Sequence, residues 1–344
     1  MGQVYKAILR SSNNNSGEQV AVKVQRPDIF ETVTLDLFLL ISYGKMVDKF
    51  CSIFTNQIPY HETFINGFAN GSFMEMNYVN ESNNQMYFRN ELHKRFHSTK
   101  KKVAEKVIVP KVYEEYTTQR ILVSEWIEGV PLAQSPPEQI RQLIPIGVEL
   151  FLCQLLDVGA FHADPHPGNL YVTTSKVDGV TPILCLLDFG LVANVSIEAR
   201  ASMTKAIVNL LQGDYDTLIA RDAKDLGFLP VDMDVTELKP VLKTILKNGL
   251  VDAGSNLHDR KRRLMSISDE LNEVFFQHPF SVPPFFALVT RGLGLLEGIA
   301  LTGDPNFDIF QASYPYAKRR AIETFSVKDV AKISGMLRRT STRI

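Results

Sequence analysis

Phe161-His162-Ala163-Asp164-Pro165-His166-Pro167-Gly168-Asn169 is the stretch whose reading decides the fold, and Asp188-Phe189-Gly190 follows it downstream. Together they read as a phosphate-and-metal site. Asp164 and Asn169 have the spacing at which a carboxylate accepts or orients a proton while an amide holds a metal. The apolar run Ile183-Leu184-Cys185-Leu186-Leu187 ends in Asp188, so a second metal-binding carboxylate arrives from the end of a buried strand. Between the two, Asp178-Gly179 supplies a hairpin turn. Asn169 and Asp188 are the pair expected to hold one or two Mg2+ that neutralise phosphate oxygens.

His162 and His166 stand at a spacing that ligates zinc when it falls on a helix. Pro165 and Pro167 flank His166 and forbid a regular helix there. The expectation is therefore that His162 orders the loop by hydrogen bonding, while the prolines hold Asp164 and Asn169 in fixed relation.

Upstream, Val4–Leu9 and Gln19–Val24 are two β-rich runs separated by the turn-rich Ser11–Gly17, which predicts a hairpin. Lys23, in Val-Ala-Val-Lys, projects from the second run. Such a lysine either contacts the α- and β-phosphates of a nucleotide, held by a helix glutamate, or is an exposed strand lysine. Glu75 and Glu81 are the candidate partners, and Glu81, further inside its helical stretch, is preferred. Ile29–Phe54 reads as helix, Asn66–Ser72 as a Gly/Asn-rich loop, Phe73–Phe96 as helix, and Lys100–Lys102 as a solvated loop. Lys111–Thr117 and Arg120–Trp126 are strand candidates joined by Thr118-Gln119. The second ends where backbone groups of Glu125, Trp126 and Ile127 are placed to bond an adenine edge. Trp126 then either lines the base pocket or serves as a structural tryptophan.

Glu128-Gly129-Val130-Pro131 breaks the chain as a hinge, and Pro137–Val158 follows as an amphipathic helix with proline in its first turn. After Gly190 only helical patterns recur, at 196–212, 214–226, 234–251, 259–276, 284–302 and 307–322. The architecture predicted is α+β: a strand-rich lobe over 1–127, a larger helical lobe over 128–325, and a tail over 326–344.

Hydrophobic residues make up 45% of the 344 and charged residues 22%, ordinary values for a globular chain with ample core. The net charge of −1 gives no bulk electrostatic basis for nucleic-acid binding. Three cysteines, odd in number and set in apolar surroundings, predict reduced core thiols rather than a disulfide framework. Val282–Leu301 is the most apolar long window. It carries two prolines, Arg291 and Glu297, and so reads as a buried helix rather than a membrane span. Arg338, Arg339 and Arg343 read as a solvated tail.

Val-Ala-Val-Lys-Val-Gln-Arg-Pro, Glu-Met-Asn-Tyr-Val-Asn-Glu-Ser-Asn-Asn, His-Ala-Asp-Pro-His-Pro-Gly-Asn and Leu-Asp-Phe-Gly-Leu together resemble the UbiB/AarF family of atypical, protein-kinase-like proteins. The resemblance runs from Gly2 to about Lys318. It implies a two-lobe kinase-like fold, ATP and Mg2+ as cofactors, ATPase activity, and a role with prenyl-lipid or quinone-pathway proteins at a membrane periphery. It further implies nucleotide contacts by Gln3, Val4, Ala21, Lys23 and the Glu125–Ile127 segment, an ion pair from Glu81, catalysis by Asp164, and metal binding by Asn169 and Asp188. A catalytically weak ATP-binding scaffold is the alternative the family allows. A general protein kinase fits less well, because no Ala-Pro-Glu segment follows Gly190. The chain departs from the family pattern at Asn77, where the family has Asp. It also starts at what resembles the tail of the nucleotide loop, so that Met1 reads as an internal methionine of a longer chain. Tyr116–Arg120 and Ser313–Tyr316 resemble the plastid and cyanobacterial branch, with the mitochondrion as the second compartment.

Overall fold

A computed structural model describes residues 2–11, 14–54, 61–98, 106–164, 166–175, 178–250 and 283–324. The expected Lys100–Lys102 loop, the 259–276 helix, Pro165 and the arginine tail lie outside these residues. The chain divides into two compact units, residues 1–131 with 168–192, and residues 132–167 with 193–344. The first boundary falls between Pro131 and Leu132. The 168–192 hairpin, expected within a 128–325 lobe, groups instead with the first unit, because its strands hydrogen-bond to strands of that unit.

In the first unit, β1 (Gly2–Ser11) and β2 (Asn14–Gln25) form the predicted antiparallel hairpin. Its connection is shorter than Ser11–Gly17, since the ladder runs on to the Ser11–Asn14 pair across an irregularity after Leu9. A further strand, β4 (Ile121–Glu125), pairs with β2. The pleat places Val20, Val22 and Val123 on one face, against Tyr113. Lys23 and Leu122 pair on the opposite face, where Leu122 joins a core cluster with Tyr78 and Val112. Ahead of β4, Lys111–Thr117 makes only an isolated bridge at Val112 before a 3-10 turn at Glu114–Tyr116. The expected strand is cut short because Thr117 Oγ donates to Tyr113 O and accepts from Val123 N, folding the segment back on itself. A second sheet runs β3 (Val107–Ile108), β8 (Pro182–Leu186), β7 (Leu170–Thr174), β5 (Val130–Pro131).

Three helices lie between β2 and β3: α1 (Ile29–Phe54), α2 (His61–Glu75) and α3 (Tyr78–Ser98). Helix α2 overturns the expected loop at Asn66–Ser72. Its glycines and asparagines are poor helix formers, but its N-terminal amides find a non-local cap. Asp48 of α1 accepts from His61 N at 3.1 Å and from Glu62 N at 2.8 Å. Gly44 also lets α1 approach closely, since a Cβ there would lie 2.6 Å from Ile65 Cδ1. The single helix expected over Phe73–Phe96 is broken at Met76-Asn77, where Asn77 Oδ1 accepts from Val79 N at 3.1 Å and caps α3.

The second unit is helical. Its core helix is α4 (Pro137–Cys153), which continues as a π turn over Gln154–Val158 ending at left-handed Gly159. Then come β6 (Ala160–His162), α5 (Ile197–Gln212), the short α6 (Tyr215–Thr217) and α7 (Ala223–Asp225), α8 (Leu238–Leu250), α9 (Pro284–Gly303) and α10 (Ile309–Thr324). Helix α9 is the apolar window expected to be buried; among the described residues no helix is long and apolar enough to cross a membrane. Helix α10 is tied to α4 and its π turn by Arg319–Glu149 at 3.0 Å and by Tyr316 donating to Asp157 at 2.5 Å. Cys51, Cys153 and Cys185 are in no disulfide; the last two are buried core residues, whereas Cys51 is only partly buried.

Candidate functional site

Period-2 alternation on β2 aims Lys23 away from the valine core and toward α3. There its Nζ lies 2.8 Å from both carboxylate oxygens of Glu81, 3.3 Å from Asp188 Oδ2, and 5.1 Å from the Tyr78 ring centroid. Glu81, in the first turn of α3, is only 1% exposed. Of the two candidate partners it is the one that meets Lys23. Glu75, on the preceding helix, lies near the same cluster. A Cβ on Gly190 would sit 3.2 Å from Asp188 Oδ1, 3.6 Å from Glu75 Cγ and 3.7 Å from Glu81 Oε2.

Two carboxylates here share one ammonium. Burial opposes the Lys23 charge, but Glu81 and Asp188 more than offset it and raise its pKa. Burial pushes Glu81 up to about 7, Lys23 opposes the rise and Asp188 adds to it. The two shifts point to opposite charge states for the pair. The upward direction for Glu81 is the physically expected one, because its nearly complete burial is helped by a second carboxylate competing for the same cation.

Helix α3 also fixes Asp188-Phe189-Gly190. Asn84 Nδ2 donates to Phe189 O at 2.9 Å, and the rings of Phe88 and Phe189 lie 5.2 Å apart, both fully buried. Glu81, Asn84 and Phe88 sit at i, i+3 and i+7, so one helix stripe grips the lysine, the backbone and the ring. Asn84 closes the Glu75–Asn84 motif without a role of its own there, and Phe88 lies beyond it; their helical spacing from Glu81 is the signal that assigns both. Asp188 itself has φ 59, a left-handed backbone uncommon for a non-glycine residue and costing about 1 kcal/mol. Such strain collects at functional sites.

Asn169 closes a 3-10 turn at Pro167–Asn169 and immediately precedes the β7–β8 ladder, which starts at Leu170. Its carbonyl accepts from Leu187 N at 2.9 Å, which sets Asn169 and Asp188 at the same end of the hairpin. The Asp188 carboxylate is 46% exposed and so reachable from solvent. Among the described residues no group of three or more His, Cys, Asp or Glu forms a metal cage. One carboxylate and one amide, beside a cluster with an excess of negative charge, fit Mg2+, which takes few protein ligands and completes its shell with phosphate and water.

The remaining nucleotide candidates fall unevenly. Val4 pairs with Lys23, and Ala21 follows the same alternation, so both share the Lys23 face. Gln3 pairs with Val24, and the one-residue offset turns its side chain to the other face, where it accepts from Tyr5 OH at 2.5 Å. At the expected adenine edge, Glu125 N donates to Lys111 O at 2.8 Å and Trp126 N to Gln19 O at 3.2 Å. Both amides are committed to the sheet, which leaves Ile127 as the backbone candidate. The Trp126 indole lies 5.1 Å from Lys6 Nζ, and Lys6 pairs with Glu128.

Asp164 belongs to the second unit. Its carbonyl accepts from His166 N at 2.8 Å, and its carboxylate meets Arg291 Nη2 of α9 at 3.0 Å. His162 is buried on β6, its amide donating to the buried Gln154 Oε1 at 3.1 Å. It thus anchors the strand that leads into Asp164. Lying on a strand, it does not share a helical face with His166.

A lysine held by a helix glutamate beside a strained Asp-Phe-Gly, on an α+β frame, defines the kinase-like class. The profile of the ABC1 atypical kinase-like domain matches residues 1–221, and the chain belongs to that family. It is 40% identical over 329 residues to the Arabidopsis thaliana chloroplastic protein Activity of BC1 Complex Kinase 3, covering 94% of this chain and 42% of that protein. An uncharacterized Synechocystis protein is 34% identical (94% of this chain, 44% of that one). An uncharacterized chloroplastic aarF domain-containing protein kinase of Arabidopsis thaliana is 33% identical (98% and 44%). The chain therefore spans under half the length of these relatives. Among solved structures, the complex of Rv3197 with erythromycin from Mycobacterium tuberculosis superposes with a TM-score of 0.60. It shares 22% identity and covers 91% of this chain and 73% of that one, a likeness of fold.

Proposed function

We propose that the chain binds Mg·ATP and hydrolyses it as an atypical kinase-like enzyme, with Lys23, Glu81, Asp188, Asn169 and Asp164 as its working residues. The observation that carries this reading is the Lys23–Glu81–Asp188 cluster, in which one ammonium is shared by a buried and an accessible carboxylate. Lys23 neutralises the α- and β-phosphates, and Glu81 holds its ammonium in place. Val4 and Ala21 flank the nucleotide on the Lys23 face, while Trp126 and the Ile127 backbone receive the base. Asp188 and Asn169 are the residues that would hold Mg2+, whose charge would offset that of the phosphates. Asp164 orients the attacking water and accepts its proton.

Two named relatives are chloroplastic. They support a plastid location and, with the family resemblance, a role in isoprenoid quinone or prenyl-lipid metabolism. The test is Mg2+-dependent ATP hydrolysis by the wild-type chain and by Asp188→Asn. Turnover in the wild type that collapses in the variant supports the enzyme. Equal background rates in both sink it, and nucleotide-induced thermal stabilisation without turnover would favour an ATP-binding scaffold instead.

A further inference from the structure

We infer that Arg291, on α9 and beyond the stretch matched by the family profile, is the positioning residue for Asp164. The inference rests on the proposed ATP hydrolysis, for which Asp164 is the proton acceptor. The carboxylate and the guanidinium meet at 3.0 Å across a long sequence gap, and both belong to the second unit.

Each partner is held by its neighbours. On the arginine side, Gly292 lets α9 press onto α4, since a Cβ there would lie 2.6 Å from the Phe151 ring. At the far end of α9 a Cβ on Gly303 would lie 2.7 Å from Ile140, and Arg141 donates to Gly303 O at 3.1 Å. The register of α9 is thereby fixed one residue from Arg291. On the aspartate side, the same Phe151 packs edge-on against Phe161 of β6, centroids 5.8 Å apart. Phe161 is fully buried and lies three residues before Asp164. One aromatic side chain thus references both ends of the pair to α4.

The pair itself is not buried: the Arg291 side chain is 59% exposed and that of Asp164 38%. An ion pair in that environment contributes little to stability. Its consequence is orientation. A guanidinium on the carboxylate restrains the torsion of Asp164 and so fixes the direction in which it faces its reaction partner.

The test compares the full chain with Arg291→Ala and Arg291→Lys, measuring kcat and KM for Mg·ATP together with the melting temperature. The expected result is a fall in kcat of about tenfold or more for Arg291→Ala, with KM changed less than about twofold, because Arg291 acts through the proton acceptor and not on the nucleotide. Arg291→Lys should recover part of kcat, since it restores the charge without the planar fork. Melting temperatures within about 2 °C of wild type are expected for both, from the small stability of an exposed pair. In an Asp164→Asn background Arg291→Ala should have no further effect on kcat. Turnover in Arg291→Ala equal to wild type overturns the inference alone. So does a rise in kcat, which would make Arg291 a mask on Asp164. A wild-type chain without turnover removes the proposed function and this inference together.

Discussion

Replacing Glu81 with glutamine tests the charge balance at the lysine through the pH dependence of folding. In the folded chain burial, with Asp188 adding to it, raises Glu81 from 4.5 to about 7. A carboxylate raised on folding contributes stability that is fully present below its unfolded pKa and is lost as pH climbs to the folded value. Across the interval from 4.5 to about 7 the loss amounts to about 3 kcal/mol. Lys23, held above 10.5, stays charged throughout this window and adds only a constant. Glu81→Gln keeps an acceptor oxygen for the ammonium but has no proton to release. Urea unfolding of both chains between about pH 5 and about pH 8 is the assay. The stability of wild type minus that of Glu81→Gln should fall by about 2.5 kcal/mol across that range, part of the loss having already occurred by about pH 5, with the variant gaining relative ground at high pH. Parallel profiles would refute the reasoning, showing that Lys23 neutralises Glu81 completely and that Asp188 does not compete for it.

Two further substitutions examine the helix that grips the site. Phe88→Ala removes a fully buried ring from beside Phe189 and should cost about 3–5 kcal/mol in urea unfolding; a loss under about 1 kcal/mol would mean the ring is not packed as described. Asn77→Ala removes the cap of α3 and should cost about 1 kcal/mol, whereas Asn77→Asp should be neutral or slightly stabilising, because a carboxylate caps as well as an amide and suits the helix dipole.

What the sequence made legible was local. The β1–β2 hairpin follows from alternation, and Lys23, Asp164, Asn169 and Asp188 from motif spacing. Glu81 is preferred over Glu75 for depth in one helical stretch, but the break at Asn77 puts it in the first turn of α3, so the preference holds for a different reason: Glu81 starts the helix that faces Lys23. What stayed hidden was non-local. Helix α2 looked like a loop because its cap comes from Asp48, on the preceding helix. The register that sets the Gln3 side chain on the face opposite Lys23 is likewise non-local. Arg291 read only as a charge in an apolar window, since nothing local connects it to Asp164. Asn84, the last residue of the Glu75–Asn84 motif, and Phe88 beyond it stand at helical spacing from Glu81, but neither is a catalytic residue type that would assign it a role.

The account stands on Lys23, Glu81 and Asp188 forming the Mg-nucleotide site. Thermal unfolding of wild type and Lys23→Met, each with Mg·ATP, with ATP and a chelator, and with no addition, tests this most directly. Mg·ATP should raise the melting temperature of wild type only, by the several degrees that saturating ligand gives, and neither chelated ATP nor the variant should respond. An equal rise in Lys23→Met and wild type would contradict the account and place the nucleotide elsewhere on the chain.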